Sequence, residues 1–325
     1  MSVLVFVENH AGQFKKAAFE AASYAAQLAA AMQSTAAAVV LGSVSEEVAR
    51  SLGKYGIAKV ICVQDALLDG FEAHAAAKAV SEVASSVGAG VVILSNTYTG
   101  KALAPRLAVK LQAALAAGAV ELPLVNGGEL IVKRTVFSNK GFADLALKTA
   151  VKVVSLTPNS YKLVENEVAV SVENRSGVVS ATDFKAKVVE VKKVTGKIPL
   201  TEAELVVSAG RGMKGPENWH MVENLAQTLG AATACSKPVS DMHWRPHDEH
   251  VGQTGITIKP NLYIAIGISG AIQHLAGVSG SKVIVAINTD KEAPFFKIAD
   301  YGIVGDAFEV LPKLNDAFAK FKAAN

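Results

Sequence analysis

The chain has 325 residues, 50% of them hydrophobic and 19% charged, and a formal net charge of +3. That length predicts two domains, each large enough to bury a core, and the composition excludes disorder. The charge is too small to name a partner, and no run of Lys and Arg interleaved with aromatics marks a face for nucleic acid.

The apolar run that opens the chain, Met1 to Glu8, reads as a strand with no basic flank and no small-residue cleavage pattern, so no export signal is expected. From there, short β-branched runs alternate with longer Ala-rich segments of helical period, the pattern of βαβ units on a parallel sheet. Strands are predicted at Val3–Val7, Ala37–Leu41, Lys59–Val63 and Val91–Ser95, and helices at Lys15–Met32, Ser45–Tyr55, Phe71–Val87 and Lys101–Ala114. The unbroken Val91-Val92-Ile93-Leu94 suits a strand buried on both faces. Cys62 and Cys235 lie far apart and outside any C-x-x-C spacing, so neither a disulfide framework nor a zinc site is expected, and a reducing, cytoplasmic setting fits. Leu111 to Val120 is the most apolar stretch, but Lys110 and Glu121 bound it well short of a bilayer span, so no direct membrane insertion is expected.

Past Gly127-Gly128 the pattern changes to alternating segments, Leu130–Val136 and Leu145–Val154, that read as hairpins or extra strands. Lys187–Val194 reads as a last strand, and Thr195-Gly196-Lys197-Ile198-Pro199 as a linker. The expected division is therefore an N-terminal α/β domain over residues 1–195 and a second domain over residues 196–325. Strands follow at Leu205–Ala209, Ala231–Cys235, Tyr263–Ile268, Lys282–Asn288 and Gly302–Val304, with helices at Glu217–Leu229 and from Phe308 to about Ala324. The fold class is α/β: two domains, each a mainly parallel sheet flanked by helices, the second Rossmann-like.

Gly210-Arg211-Gly212-Met213-Lys214-Gly215 follows a predicted strand with G-x-G-x-x-G spacing and precedes a helix. Glycines there let backbone approach a pyrophosphate, and a helix N-terminus presents free N–H groups to it. The spacing alone also fits a turn without a ligand. A nicotinamide site should carry an Asp or Glu about 20 residues on, whereas the second strand ends in Cys235-Ser236-Lys237. The missing acid argues against NAD, although Lys237 suits a 2′-phosphate. A second strand end carries Gly267 to His274, where Ser269 is a candidate helix cap, Gly270 leaves room for a phosphate or ribose, and His274 is either a ligand contact or a packed helix residue. The loop Val251-Gly252-Gln253-Thr254-Gly255 exposes donors suited to a planar heterocycle. His243, His247 and His250 with Asp248 and Glu249 invite a metal reading, but Pro246 breaks any helix aligning them and none is expected. No G-x-S-x-G elbow or P-loop occurs, which leaves hydrolase and nucleotide-triphosphatase readings without support.

Taken together, Ser208 to Asn218, Val251 to Gly255, Gly267 to Gly277, Val285 to Pro294 and Ala299 to Asp306 resemble the α subunits of electron transfer flavoproteins, in order through nearly the whole second domain. The resemblance implies a FAD-binding second domain with one FAD on this chain, and an N-terminal domain that contacts a β subunit in a heterodimer. It implies AMP or a second FAD on that partner, flavin-containing dehydrogenases as donors and a quinone-linked oxidoreductase as acceptor. The positions it assigns to FAD are Arg211, Ser236, Lys237, Val251, Gly252, Gln253, Thr254, Ser269, Gly270, Ala271, Ile272, Gln273, His274, Asn288, Asp306 and Ala307.

Reduced flavin gathers negative charge near N1 and O2, so His274 and the helix after Gly270 are expected to favour it, with Thr254 near N5, Gln273 and Ser269 on ribityl or pyrophosphate oxygens, and Asn288 and Asp306 by the adenosine. Two departures from the family pattern stand out. Lys237 replaces the usual Arg, keeping charge but losing the planar fork, and Met242 to His250 is rich in histidine, which makes pH-dependent redox behaviour an expectation. The carrier is expected to transform no small substrate. An NAD(P)-dependent dehydrogenase and a non-redox adenine-nucleotide module are the alternatives.

Overall fold

Every strand of the second half runs the same way, and that single fact places all of its candidate residues on one edge. The computed structural model describes residues 2–191 and 198–324, and it divides into two units, Met1–Val136 with Gly141–Lys193, and Phe137–Lys140 with Val194–Asn325.

The first unit holds strands β1 (Ser2–Phe6), β2 (Asn9–His10), β3 (Gln13–Phe14), β4 (Ala36–Leu41), β5 (Lys59–Val63), β6 (Ala89–Ser95), β7 (Ala114–Ala119), β8 (Leu124–Asn126), β9 (Glu129–Val136), β10 (Gly141–Leu147), β11 (Lys152–Leu156) and β12 (Ser171–Arg175). Its main sheet runs β10-β9-β7-β11-β6-β1-β4-β5-β12, parallel from β7 to β12, with β8, β9 and β10 added antiparallel at one edge. Helices α1 (Lys16–Ala31) and α2 (Glu46–Arg50) join a core on one face, with Tyr24 and Leu28 of α1 and Ala49 of α2 buried in it. Helices α3 (Ala73–Ser86) and α4 (Tyr98–Lys110) bury Val80, Val83, Leu103 and Leu107 on the other. Side chains of Ser45, Glu72 and Thr97 accept from free backbone N–H groups at the starts of α2, α3 and α4.

Several expected boundaries differ. The helix expected over Ser45–Tyr55 ends at Arg50 and continues as a tighter turn, Ser51–Lys54. Leu111 to Val120 is mostly β7, which lies between β9 and β11 in the sheet. The segment Leu145–Val154 is two elements, the end of the antiparallel β10 and the start of the wholly buried β11, separated by a turn. Lys187–Val194 is not the last strand: residues 187–191 have no strand structure, and the rest lies outside the described residues. That place belongs to β12, paired parallel to β5. Residues 195–197 of the expected linker Thr195–Pro199, and with them the expected boundary, also fall outside the described residues.

The second unit contains β13 (Leu205–Ala209), β14 (Ala232–Cys235), β15 (Leu262–Ile266), β16 (Val283–Asn288) and β17 (Tyr301–Val304), all parallel in the order β14-β13-β15-β16-β17. Helices α5 (His220–Leu229) and α8 (Ala307–Ala324) cover one face through Val222, Leu225 and Leu311. The other face packs on α7 (Ile272–Val278) and the segment holding Val251 and Ile258. A short helix, α6 (Lys237–Asp241), follows β14. Among the described residues no helix is long and apolar enough to cross a membrane.

Candidate cofactor site

In a parallel sheet the carboxyl ends of all strands share an edge, and ligands of open α/β sheets sit outside that edge where the strand order reverses. Here the reversal falls between β13 and β15. Arg211 follows β13, Ser236 and Lys237 follow β14, Ser269 to His274 follow β15, Asn288 ends β16, and Asp306 and Ala307 follow β17. Val251 to Thr254 arrive at the same edge by a returning segment, with Val251 N donating to the Cys235 carbonyl at 3.1 Å. The loops that carry the candidate cofactor residues thus lie along one edge.

The Val251–Gly255 turn is docked on α7 backbone to backbone. Gln253 N donates to the Gln273 carbonyl at 2.7 Å, and Ile258 N to the Gly277 carbonyl at 2.9 Å. A Cβ on Gly277 would sit 2.5 Å from the Gly252 Cα, so two glycines are what let the turn and the helix touch. Gln253, Thr254 and Gln273 remain exposed beside that contact.

The G-x-G-x-x-G loop is built otherwise than its spacing suggests. Gly212 N donates to the Gly267 carbonyl at 3.1 Å, and a Cβ on Gly212 would lie 2.6 Å from the Gly267 Cα, so these glycines serve the packing of one loop on another. The Glu217 carboxylate lies over Gly215, and α5 starts only at His220, after a separate tight turn at Pro216–Trp219. No helix N-terminus faces outward from this loop in the way the motif predicts. Ser269 likewise caps nothing. Residue Ala271 is the cap position of α7 and makes no side-chain bond, while the Ser269 carbonyl accepts from Phe295 N at 3.2 Å.

The residues expected near an adenosine are partly committed to the protein. Asn288 Nδ2 donates to the Ile268 carbonyl at 3.0 Å and its Oδ1 accepts from Asp290 N at 3.0 Å. Asp306 Oδ1 accepts from Phe308 N at 3.0 Å at the start of α8, and its other oxygen lies 3.5 Å from Lys214 Nζ. Lys214, which the sequence reading passed over, also stands 4.5 Å above the Phe308 ring. Its signal was a lone cation between motif glycines. Ser236 is buried, with its N–H on the Ala209 carbonyl at 3.1 Å, and Lys237 is exposed.

Two buried histidines flank the turn. His274, only 6% exposed, places Nε2 2.8 Å from the Tyr263 hydroxyl, and burial together with the nearby His250 drives its pKa down to about 4. With that shift the ring is neutral at pH 7 in the protein by itself. His250 lies under Gly255, its ring 5.4 Å from that of His247. Burial, then His247, lowers its pKa, with Asp241 opposing and Lys237 reinforcing. Nδ1 of each ring is buried without a well-formed hydrogen bond. Behind them Arg245 forks onto Glu249 with two bonds of 2.7 Å, reaches Glu223 at 2.8 Å and lies 5.6 Å over Trp219. Among the described residues no group of three His, Cys, Asp or Glu side chains converges as a cation site.

Residues 3–195 match the electron transfer flavoprotein domain, and residues 199–279 match the electron transfer flavoprotein FAD-binding domain. The chain belongs to the electron transfer flavoprotein alpha subunits. It is 38% identical over 317 residues to the electron transfer flavoprotein subunit alpha of Bacillus subtilis, covering 97% of each chain. The corresponding subunit of Syntrophomonas wolfei is 38% identical over 311 residues, 95% of this chain and 96% of that one. Protein FixB of Azorhizobium caulinodans is 35% identical over 325 residues, 97% of this chain and 88% of that one.

As an electron transfer flavoprotein alpha subunit, the chain is a FAD-binding electron carrier of flavin-linked redox chains and not an enzyme that transforms a substrate. Membership of this family sets aside the dehydrogenase alternative drawn from the glycine loop. The edge suits a dinucleotide chemically. Exposed Arg211 and Lys237 supply positive charge, while exposed Gln253, Thr254, Ser269 and Gln273 supply neutral donors around a turn that has no bulky side chain at Gly252. Behind that turn the buried Nδ1 atoms of His250 and His274 make no well-formed hydrogen bond.

Proposed function

We propose that one FAD binds across the carboxyl edge of β13–β17, with Val251, Gly252, Gln253, Thr254 and Lys237 toward its ring, Arg211, Ser236, Ser269, Gly270, Ala271, Ile272, Gln273 and His274 toward ribityl and phosphate groups or the ring's polar edge, and Asn288, Asp306 and Ala307 toward the adenosine. FAD, when bound, supplies exchange of single electrons between proteins. The chain's own residues bind and orient it: Arg211 and Lys237 by charge, the Gly252–Gly277 contact by fixing the turn. The observation that carries this reading is the convergence of exposed donors from three strand-end loops and the returning turn along one edge. A β subunit bearing AMP or a second FAD would complete a heterodimer through residues 1–195, with 196–325 as the flavin domain. Electrons would enter from flavin-containing dehydrogenases and leave to a quinone-linked oxidoreductase.

The test is co-purification with the β subunit and a count of flavin and AMP per heterodimer. One FAD assigned to this chain is expected, and Lys237→Ala is expected to weaken its retention roughly tenfold, the worth of one charge-assisted hydrogen bond, while Lys237→Arg retains it. Failure of the reconstituted pair to hold any flavin sinks the proposal.

A further inference from the structure

One proton behind the turn has two possible owners. Tyr263 on β15 is fully buried, stacked 6.1 Å from Phe295 at 13°, and His274 meets the same Phe295 edge-on at 5.8 Å. The 2.8 Å contact between the Tyr263 hydroxyl and His274 Nε2 forms either with the phenol donating or with the imidazole donating. Burial pushes the phenol's pKa well up, so the hydroxyl keeps its hydrogen and must place it on an acceptor. Ser208 stands beside the phenol, yet its Oγ makes no well-formed bond. Among the described residues, Nε2 is the acceptor at bonding distance. The other ring nitrogen, Nδ1, is buried without a well-formed bond, on a ring that lies by the backbone of Val251.

We infer that Tyr263 is a positioning residue for His274: its hydroxyl donates to Nε2 and thereby keeps the imidazole proton on Nδ1, facing the Val251–Gly252 entry to the ligand turn. The protonated nitrogen is then α7's spare donor at the place where the site meets an electron-rich ring edge. That use of the donor rests on the FAD reading above, whereas the location of the proton does not. Tyr263 thus acts on the ligand only through His274.

The experiment is nitrogen NMR of the full chain, histidine-labelled with ¹⁵N, in complex with its β subunit, with His274→Gln to assign the signals. A pyrrole-like Nδ1 and a pyridine-like Nε2 for His274 are expected, and the opposite pattern in the wild-type protein overturns the inference even if no variant folds. In Tyr263→Phe the bias is lost, and the apparent Kd for FAD should rise by the reciprocal of the fraction still protonated on Nδ1, about twofold if the two forms become equal. A merely structural role leaves the tautomer unchanged in this variant, and a changed tautomer with unchanged FAD affinity equally removes Tyr263 as a positioning residue. Should the wild-type complex bind no FAD, the spectrum still decides where the proton lies.

Discussion

With its Nε2 held by a neutral phenol and almost no surface in water, His274 forgoes the hydration an imidazolium requires, which is why its pKa drops from 6.5 to about 4. In the unfolded chain it titrates near 6.5, so between there and pH 4 the unfolded state holds a proton that the native state lacks. Stability from this group is therefore complete above pH 6.5 and is lost as the pH falls toward 4, on the order of 3 kcal/mol in all. His250, the neighbour whose charge would raise the cost of protonating it, is displaced in the same direction and steepens the fall. Urea midpoints measured above pH 6.5 and near pH 4 should show a smaller drop for His274→Gln than for wild type, and an equal drop refutes the assignment. The spacing of His274 in the sequence showed that it lies just inside a helix at the ligand edge. It did not show that the ring turns inward to Tyr263, since that depends on a strand eleven residues earlier folding beneath it. The sequence likewise did not show that both ends of the Asn288 amide already hold partners, the Ile268 carbonyl and Asp290 N.

At the level of elements, the segment from Met242 to His250 is held by Arg245 rather than by regular structure. Glu249 has 5% of its side chain exposed, and its carboxylate relies on the guanidinium fork. Removing one partner of such a pair strands a buried charge. Arg245→Met should destabilise the chain by about 3 kcal/mol, and adding Glu249→Gln should restore much of the loss. Thermal and urea unfolding of the single and double variants checks this, and additive effects would show that the pair is not coupled. Long elements with a clear period were legible, including α1, α3, α8 and the five strands of the second sheet. Strand β12 was not, because Ser171-Val172-Glu173-Asn174-Arg175 is an edge strand with polar side chains and offers no apolar run to read. The turn between β10 and β11 was hidden by an apolar alternation that continues through it.

For the whole molecule, composition and periodicity sufficed to announce two α/β units, and each has hydrophobic cores on both faces of its sheet. That Phe137–Lys140 counts with the second unit was beyond any local pattern, since it depends on chain distant in sequence. FAD held by one unit stabilises that unit in proportion to ligand excess, about 2.7 kcal/mol at a hundredfold excess over Kd. Calorimetry of the full chain should accordingly show one unfolding transition that climbs with added FAD and one that stays. If all the heat moves together, the units do not unfold separately.

The five parallel strands of the flavin-binding unit share no hairpin, and that governs how the sheet comes into being. Each neighbouring pair must close a long loop before its first ladder bond forms, an entropic toll that local turns would avoid. Assembly is consequently slow and concerted, and until it finishes the apolar runs of β13 and β15 lie open to other chains. In a crowded cell such a carrier is most exposed to aggregation while it is still colourless, before any flavin has been acquired.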